Sequence, residues 1–378
     1  MKIAYLFPHY AQKAGTERVL TDKMNWLAEC GHEVFALSYE QGSHPYAFPL
    51  DERVRKIDFN VRFFPLYRCN AAKRLLMLII LRCRLVNRLR KFVEKERPHL
   101  MVCTTYAPFE IEALTKICKP LGIPFIIECH STYLNARSET LISLVMHRMR
   151  HLNPRQLAGA ERVVALTEGD ADEWRKVVKR VSVIPNMVHL NRSGLYSNGQ
   201  NKKVIFAGRL EQQKGLPQLL QIWQKVYMTH PDWNLEVYGT GPQRDWFEKE
   251  VKRLNIGINM YEPTNAIMAK YRECDILMLT SVYEPFGLVL VEAMSSGLPV
   301  VSFDCPYGPA GIISDGRDGF LIPPGDIQTF SDRLGQLMEN DDMRHAMSQR
   351  AIISSQHYTD AKVMPLWEQL FKEMGLPV

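Results

Sequence analysis

The chain has 378 residues, of which 46% are hydrophobic and 23% charged, and its formal net charge is +6. This composition excludes an intrinsically disordered protein, because disordered chains lack the apolar side chains that form a core. The length is typical of two domains rather than one.

The first residues, 2–7, form an apolar run typical of a strand, which predicts that no signal peptide precedes the fold. The longest apolar run outside the predicted strands, 75–81, is too short to span a bilayer. The eight cysteines contain no Cys-x-x-Cys pair, and Cys103, Cys129 and Cys274 fall in apparent strands. We therefore expect buried thiols in a reducing compartment, not disulfides or zinc ligands.

The first half of the chain alternates between strand and helix patterns. Predicted strands are residues 2–7, 34–39, 99–105, 124–129, 162–167 and 181–184. Predicted helices are residues 16–30, 73–96, 108–119, 138–152 and 169–178. Such alternation predicts a parallel sheet with helices on both faces.

A polar stretch without a hydrophobic period, residues 191–203, predicts a linker. Six more strands are predicted near residues 204–208, 235–239, 258–261, 275–280, 299–303 and 319–322. The simplest architecture is α/β, with two doubly wound, Rossmann-like parallel-sheet domains that face each other across a cleft. We place these domains at residues 1–190 and 203–357.

The basic residues are concentrated in the N-terminal half. Residues 1–185 contain 29 Lys and Arg against 19 Asp and Glu, a balance of +10, and the remainder contains 18 against 22, a balance of −4. The stretch 68–97 carries ten basic residues and two glutamates around an apolar run that includes Leu75, Leu76, Leu78 and Ile79. It is either a surface helix with snorkelling arginines or a helix lying on an anionic membrane, and we favour the membrane.

Two glutamates frame the most informative segment. Glu284 follows an apparent strand, and Glu292 lies inside the helical run that begins after Gly287. Ligands of open parallel sheets bind at the carboxyl ends of strands, and a helix N-terminus suits a phosphate. The alternative is a pair of solvated helix charges. That alternative is weakened because the run 288–294 is otherwise wholly apolar, where an ionised carboxylate needs partners.

The segment from Glu284 to Pro299, together with residues 303–309, closely resembles the signature of retaining nucleotide-sugar glycosyltransferases of family 4, which have the GT-B fold. The resemblance extends over nearly the whole chain and is strongest at residues 204–324. It is closest to bacterial enzymes that build surface polysaccharides or lipid-linked oligosaccharides. In such enzymes the last helix, here residues 358–375, returns to the N-terminal domain, which binds the acceptor, while the C-terminal domain binds the donor.

Arg209 and Lys214 lie in a predicted strand-to-helix loop after Gly208. Two cations in such a loop can neutralise a diphosphate, although a solvated loop with ordinary charges is the alternative for Lys214 alone. The resemblance implies that both stabilise the leaving nucleoside diphosphate. It also implies that Glu284 holds donor-sugar hydroxyls and that Glu292 holds the ribose.

Further residues are expected to bind substrate. Gly239 and Gly241 form either a tight turn or a close backbone approach to the nucleotide. The third glycine of G-x-G-x-x-G is absent, which argues against a nicotinamide-dependent oxidoreductase. By resemblance, the substrate-binding set also contains Gly15, Glu17, Asn186, Gly208, Phe286, Gly287 and Leu288.

His130 ends a predicted strand, and a lone histidine is more often structural than catalytic. The resemblance implies that it contacts the donor sugar near the reacting carbon, which makes it catalytic together with Arg209, Lys214 and Glu284. Glu128 is a supporting candidate. Two departures from the family pattern, Ala14 before Gly15 and Met187 after Asn186, replace usual glycines.

Asp170-Ala-Asp172 is the one local Asp-x-Asp pattern, which can mark a metal site. Helix capping explains it better, because it begins a predicted helix. With Arg209 and Lys214 available for the diphosphate, we expect no metal and no other cofactor.

The sequence therefore predicts a retaining hexosyltransferase that moves a hexose or N-acetylhexosamine from a UDP-sugar to a lipid-linked or polysaccharide glycan, such as a polyprenyl-diphosphate-linked acceptor. We expect it in the cytoplasm, peripheral on the inner face of the plasma membrane, with no nucleic-acid partner. Alternatives are the same fold acting on a soluble acceptor such as a sugar phosphate, and a non-catalytic protein that binds sugar nucleotides.

Overall fold

The computed structural model describes residues 1–63, 70–104, 108–131, 157 and 159–377. It divides into two compact units. The first comprises Met1–Ala165, Ala171–Ile184 and Leu366–Val378, and the second comprises Leu166–Asp170 and Pro185–Pro365. The helix predicted at 138–152 lies outside the described residues.

The first unit is built on a parallel sheet of seven strands. In chain order, β1 to β7 are Lys2–Leu6, Glu33–Ser38, Arg55–Asp58, Leu100–Cys103, Phe125–Glu128, Arg162–Ala165 and Val181–Val183. Their order in the sheet is β3-β2-β1-β4-β5-β6-β7. The described helices in residues 1–184 are Gly15–Glu29, Ala71–Glu96, Pro108–Cys118 and Glu168–Arg175, with a 3-10 turn at Lys119–Leu121. The last helix of the chain is Asp360–Glu373.

The second unit is built on a parallel sheet of six strands. In chain order, β8 to β13 are Lys203–Ala207, Asn234–Tyr238, Ile258–Tyr261, Ile276–Leu279, Val300–Phe303 and Gly319–Ile322. Their order is β10-β9-β8-β11-β12-β13. The helices are Leu216–Thr229, Arg244–Leu254, Ile267–Arg272, Leu288–Ser295, Ile327–Glu339 and Asp341–Ser355, with 3-10 turns at Gln212–Lys214, Pro309–Gly311 and Gln356–Tyr358.

The central strands explain why both sheets form. All residues of β4, β5, β11 and β12 are buried, as expected of strands that are covered by helices on both faces. The two doubly wound α/β sheets expected from the sequence are therefore confirmed. The strand β3 was missed because its Arg-Lys-Ile-Asp sequence lies at the sheet edge and buries no residue fully.

Each sheet has one point at which the strand order reverses. The chain winds from β1 outwards to β3 and returns as β4 beside β1, and it winds from β8 outwards to β10 and returns as β11 beside β8. Loops that follow the two strands at such a point diverge and leave a crevice, which is the usual ligand site of open α/β sheets. In the second unit these are the loops after β8 and β11.

None of the described helices is both long and apolar enough to cross a bilayer. The seven described cysteines form no disulfide with one another, and Cys103, Cys129 and Cys274 are buried, as the sequence predicted.

Candidate functional site

Lys214 and Glu284 meet at the switch point of the second sheet. Lys214 ends the loop after β8, and Glu284 lies in the loop after β11. Their Nζ and Oε2 atoms are 2.5 Å apart, and the Ser281 hydroxyl donates to the same Oε2 at 3.1 Å. The two side chains keep only 12% and 10% of their surface exposed. An ion pair with so little exposure to solvent is held in one geometry. Such an arrangement suits a binding site for a ligand that carries charges and hydroxyl groups.

Glycines let the loops of this site approach each other. Gly215 has φ +62°, and a Cβ there would collide with the carbonyl oxygen of Thr280. The Thr280 hydroxyl also donates a hydrogen bond to the Lys214 carbonyl at 2.8 Å. A Cβ on Gly239 would collide with the carbonyl oxygen of Gly208. Larger residues at these positions would push the loops after β8, β9 and β11 apart. At Gly239 the absence of a side chain lets the loops after β8 and β9 approach each other, while its expected approach to the nucleotide stays a prediction.

Gly241 and Gly208 complete this arrangement. A Cβ on Gly241 would lie 2.5 Å from the carbonyl oxygen of Leu210, and one on Gly208 would lie 3.3 Å from the Lys214 side chain. The Leu210 N–H donates to the Thr240 carbonyl at 2.9 Å. Both glycines thus set the position of the segment that carries Arg209 and Lys214.

Arg209 has a different environment from Lys214. Its side chain is 62% exposed, and its Nη2 lies 3.3 Å from Glu211 Oε2. An ion pair this exposed contributes little to stability. The guanidinium can therefore exchange Glu211 for a phosphate of a ligand. Arg209 and Lys214, the two cations expected at the diphosphate, lie on the same loop after β8.

Glu292 lies one helix away from Glu284. It is buried in the helix Leu288–Ser295, and the hydroxyl of the fully buried Tyr271 donates to its Oε2 at 3.2 Å. This supplies a partner that a carboxylate in an apolar run requires. The structure therefore places the two glutamates at the ends of one short segment, each with a hydroxyl donor.

The segment between the two glutamates begins that helix. Gly287 has φ +97° and is the N-cap residue, without a side chain that caps the helix. Phe286 is buried and packs edge-on against Tyr358, with 5.4 Å between ring centres. Leu288 is half-buried. A helix N-terminus without a side-chain cap offers backbone N–H groups to an anion.

The backbone of Glu284 is fixed by the loop that follows β12. Its carbonyl accepts hydrogen bonds from the N–H groups of Tyr307 at 3.0 Å and Gly308 at 2.7 Å, and its own N–H donates to the Pro306 carbonyl. Burial, with Glu284 nearby, raises the pKa of the Cys305 thiol to about 12. The thiol therefore stays neutral and is not a nucleophile in this site.

In the first unit, His130 follows β5 and forms a buried cluster with Glu128 and Lys23. His130 Nε2 lies 3.1 Å from Glu128 Oε1, and Lys23 Nζ contacts the same oxygen. Although burial alone would raise the pKa of Glu128, Lys23 and His130 lower it to about 2. Glu128 is thus ionised under ordinary conditions.

The first strand-to-helix loop leads into the helix Gly15–Glu29, which also carries Lys23. Gly15 begins the first helix after Ala14, which has extended backbone. Glu17 is buried in the first turn of that helix, where its charge also complements the helix dipole. Asn186 is buried as well, and it belongs to the second unit.

The Asp-x-Asp segment is incorporated in a helix. The helix Glu168–Arg175 begins after Thr167, whose Oγ1 accepts the N–H of Asp170 at 3.4 Å, so the capping side chain is Thr167 and not Asp170. Asp172 pairs with Arg175 at 2.7 Å on the surface. Within the described ranges, no three His, Cys, Asp or Glu side chains come together in a way that could hold a metal ion.

Two family models match the chain, and they divide it in the same way as the fold. The model described as Glycosyltransferase Family 4 matches residues 14–192, and the model described as Glycosyl transferases group 1 matches residues 190–353. The second match contains Arg209, Lys214, Glu284 and Glu292. The chain is a GT-B glycosyltransferase.

Known proteins support this identification over the full length of the glycosyltransferase. It is 26% identical to an uncharacterised glycosyltransferase of Haemophilus influenzae, in an alignment that covers 97% of this chain and 99% of the relative. It is 25% identical to the amylovoran biosynthesis glycosyltransferase AmsD of Erwinia amylovora, with 98% and 99% covered. A structure of S. aureus TarM with fondaparinux, α-GlcNAc-glycerol and UDP superposes with a TM-score of 0.77 at 15% identity, covering 98% and 99%.

Several residues around the candidate sites of the two units of the glycosyltransferase were not found from the sequence. Ser281 and Tyr271 donate to the two glutamates, and Lys23 pairs with Glu128. Tyr238 and Tyr261 stack with 4.7 Å between ring centres at the carboxyl ends of β9 and β10. Of these residues, only Tyr238 and Tyr261 left a signal, since they lie at or next to the ends of the strands predicted at 235–239 and 258–261.

Proposed function

We propose that this glycosyltransferase is a retaining enzyme that uses a UDP-sugar. The observation that carries the proposal is the Lys214–Glu284 pair at the switch point of the second sheet, with Arg209 on the same loop. In this proposal Lys214 and Arg209 neutralise the diphosphate as it leaves, and the acceptor attacks from the same face. The UDP in the TarM structure supports uridine as the base.

The two glutamates divide the donor between them in this proposal. Glu284, with Ser281 and Lys214 around it, holds hydroxyls of a hexose or N-acetylhexosamine. Glu292, with Tyr271, holds the ribose. No metal is required, because two protein cations and a helix N-terminus neutralise the diphosphate.

A thermal-shift panel of nucleotide sugars tests the donor assignment. UDP and one UDP-sugar should raise the unfolding temperature, and the UDP-sugar should do so more than UDP. Glu292→Gln should weaken the shift by UDP itself, while Glu284→Gln should keep that shift and remove the extra shift by the sugar. If no uridine nucleotide shifts the wild-type protein, the donor is not a UDP-sugar. The anomeric configuration of the product, read by NMR, tests retention.

We propose a polysaccharide or lipid-linked glycan as the acceptor, bound by the basic first unit. AmsD acts in amylovoran biosynthesis, which supports a polymer pathway. We also propose a cytoplasmic location, and the helix Ala71–Glu96 supports an acceptor at a membrane surface. The soluble-acceptor alternative predicts transfer to a sugar phosphate in a reaction without any lipid, and this assay separates the two.

The helix Ala71–Glu96 presents an exposed apolar surface at its N-terminal half. Leu75, Leu76, Ile79 and Ile80 keep 41–60% of their surface exposed. Leu78 packs against the core, so the expectation that it faces the membrane is wrong and Ile80 takes its place. Apolar side chains this exposed beside arginines are typical of a helix that lies in the interface of an anionic membrane.

Only some of the basic residues are available to such a membrane. Arg82 stacks on Phe109 at 4.8 Å, and Arg88 donates to the Phe59 carbonyl. Arg84, Arg90 and Lys91 are exposed. Each basic residue near an anionic surface contributes ~1 kcal/mol, so replacing these three by Gln should weaken binding to anionic vesicles on the order of a hundredfold.

Vesicle flotation at low salt measures this binding. The wild-type protein should float with phosphatidylserine vesicles and be released as salt screens the charges. The matched control replaces Lys225, Lys249 and Lys252, which are exposed in the second unit, by Gln. It loses the same charge and should float like the wild type. A wild-type protein that ignores anionic vesicles would favour the soluble acceptor.

A further inference from the structure

Three ionisable side chains are buried together at the carboxyl end of β5 in the first unit. Lys23 comes from the middle of the helix Gly15–Glu29, and its side chain is 3% exposed. It contacts Glu128, which is 1% exposed and ends β5. His130 is two residues further along, with 6% of its side chain exposed. Burying three such groups is costly, so their arrangement needs an explanation.

The last helix covers this cluster. Lys23 Nζ lies 4.0 Å from the centre of the Trp367 indole ring and 5.5 Å from that of Tyr5. Burial lowers the pKa of Lys23, and Glu128 opposes that effect. A cation–π contact and an ion pair thus compensate for the lost hydration of the ammonium group. The Lys23 ammonium group is buried, and its charge stabilises the ionised form of Glu128.

The carboxylate in turn acts on the histidine. Glu128 Oε1 is 3.1 Å from His130 Nε2, and among the described residues nothing forms a hydrogen bond with Glu128 Oε2. A lone pair on Nε2 would be repelled by an anion at this distance, whereas a proton on Nε2 is attracted. The neutral ring then carries its lone pair on Nδ1.

We propose that Glu128, paired with Lys23, is a positioning residue that keeps the proton of His130 on Nε2 and makes Nδ1 an acceptor for a sugar hydroxyl. The proposal rests on the proposed function, in which the first unit, to which His130 belongs, binds a glycan acceptor. Lys23 supplies the charge that holds Glu128, and Trp367 closes the cluster against water. A purely structural ion pair would join the same helix to the sheet but would not control the histidine tautomer.

NMR of the full chain labelled with ¹⁵N-histidine tests the tautomer directly. The His130 signals are assigned by their loss in His130→Gln. In the wild-type protein Nε2 should be protonated and Nδ1 should not. In Glu128→Gln this preference should be lost or reversed. A wild-type proton on Nδ1, or the same tautomer in both proteins, would overturn the proposal.

A second variant protects the test against misfolding. Lys23→Met alone leaves a buried carboxylate without its cation and is expected to unfold at lower temperature. The double variant Lys23→Met/Glu128→Gln removes both charges, should fold, and should show the same tautomer change as Glu128→Gln. Lys116→Met is the matched control, since Lys116 forms an exposed pair with Glu112 in the same unit. A wild-type tautomer in the double variant would also overturn the proposal.

Transfer assays separate this inference from the proposed function. Glu128→Gln should lower kcat about tenfold or more while the thermal shift by UDP stays unchanged, because a histidine in the wrong tautomer presents a donor where an acceptor is needed. A changed tautomer with unchanged kcat would overturn the role in catalysis. If the wild-type protein transfers no sugar, the proposed function fails, and the NMR comparison still decides whether Glu128 sets the tautomer.

Discussion

Replacing Lys214 by Met should reduce both stability and turnover, for two different reasons. The substitution leaves the Glu284 carboxylate, 10% exposed, with the Ser281 hydroxyl as its hydrogen-bond donor. Removing one partner of a buried ion pair costs about 3–5 kcal/mol, and we expect the lower end because Ser281 remains. Loss of a preorganised charge at the leaving diphosphate costs a further ~3 kcal/mol in the transition state, or about a hundredfold in turnover.

The double variant Lys214→Met/Glu284→Gln separates the two effects. A neutral glutamine needs no cation, so the unfolding midpoint should return most of the way to that of the wild type. Turnover should stay at least a hundredfold low, because the cation at the diphosphate is still missing. Circular dichroism during urea unfolding and initial rates of UDP release give the two quantities.

The control for both variants is Lys252→Met, which changes an exposed lysine in the same unit and should alter neither quantity. The reasoning would be refuted in one of two ways. Full turnover in Lys214→Met would remove Lys214 from the leaving-group site. A double variant as unstable as the single one would show that the ion pair does not account for the lost stability.

Three further predictions concern the exposed Arg209, the buried Glu110 and the effect of a chelator. Arg209→Ala should leave the unfolding midpoint unchanged within error, because the side chain is 62% exposed. It should nevertheless lower turnover about a hundredfold. A variant that loses stability as well as turnover would contradict this prediction. Burial raises the pKa of Glu110 to about 7 from an ordinary 4.5, so the unfolded chain loses this proton first and stability should fall as pH rises from 4.5 to 7. Glu110→Gln keeps an acceptor for the Tyr39 hydroxyl and should be more stable than wild type at pH 8, by on the order of 1–3 kcal/mol, with no gain at pH 4. Activity should survive a strong chelator, and rescue of a chelated enzyme by manganese would return attention to the Asp-x-Asp segment.

The sequence by itself determined the α/β class and nearly all the strands. Buried parallel strands are continuous apolar runs, which are visible without any partner, as in β4 and β12. Edge strands bury one side at most, so the polar strand β3 left no such signal. The motif that joins Glu284 to Glu292 was also readable, because it is contained in one short segment and its spacing needs no tertiary information.

The tertiary structure alone decided which charges meet. Lys214 and Glu284 are 70 residues apart, and Lys23 and Glu128 are 105 apart. Such pairs depend on the order of strands in a sheet, which local periodicity does not encode, since it reports only which face of each element is buried. A lysine in the middle of a helix is expected in solvent, and only the packing of the last helix over Lys23 reveals a buried cation beside the histidine.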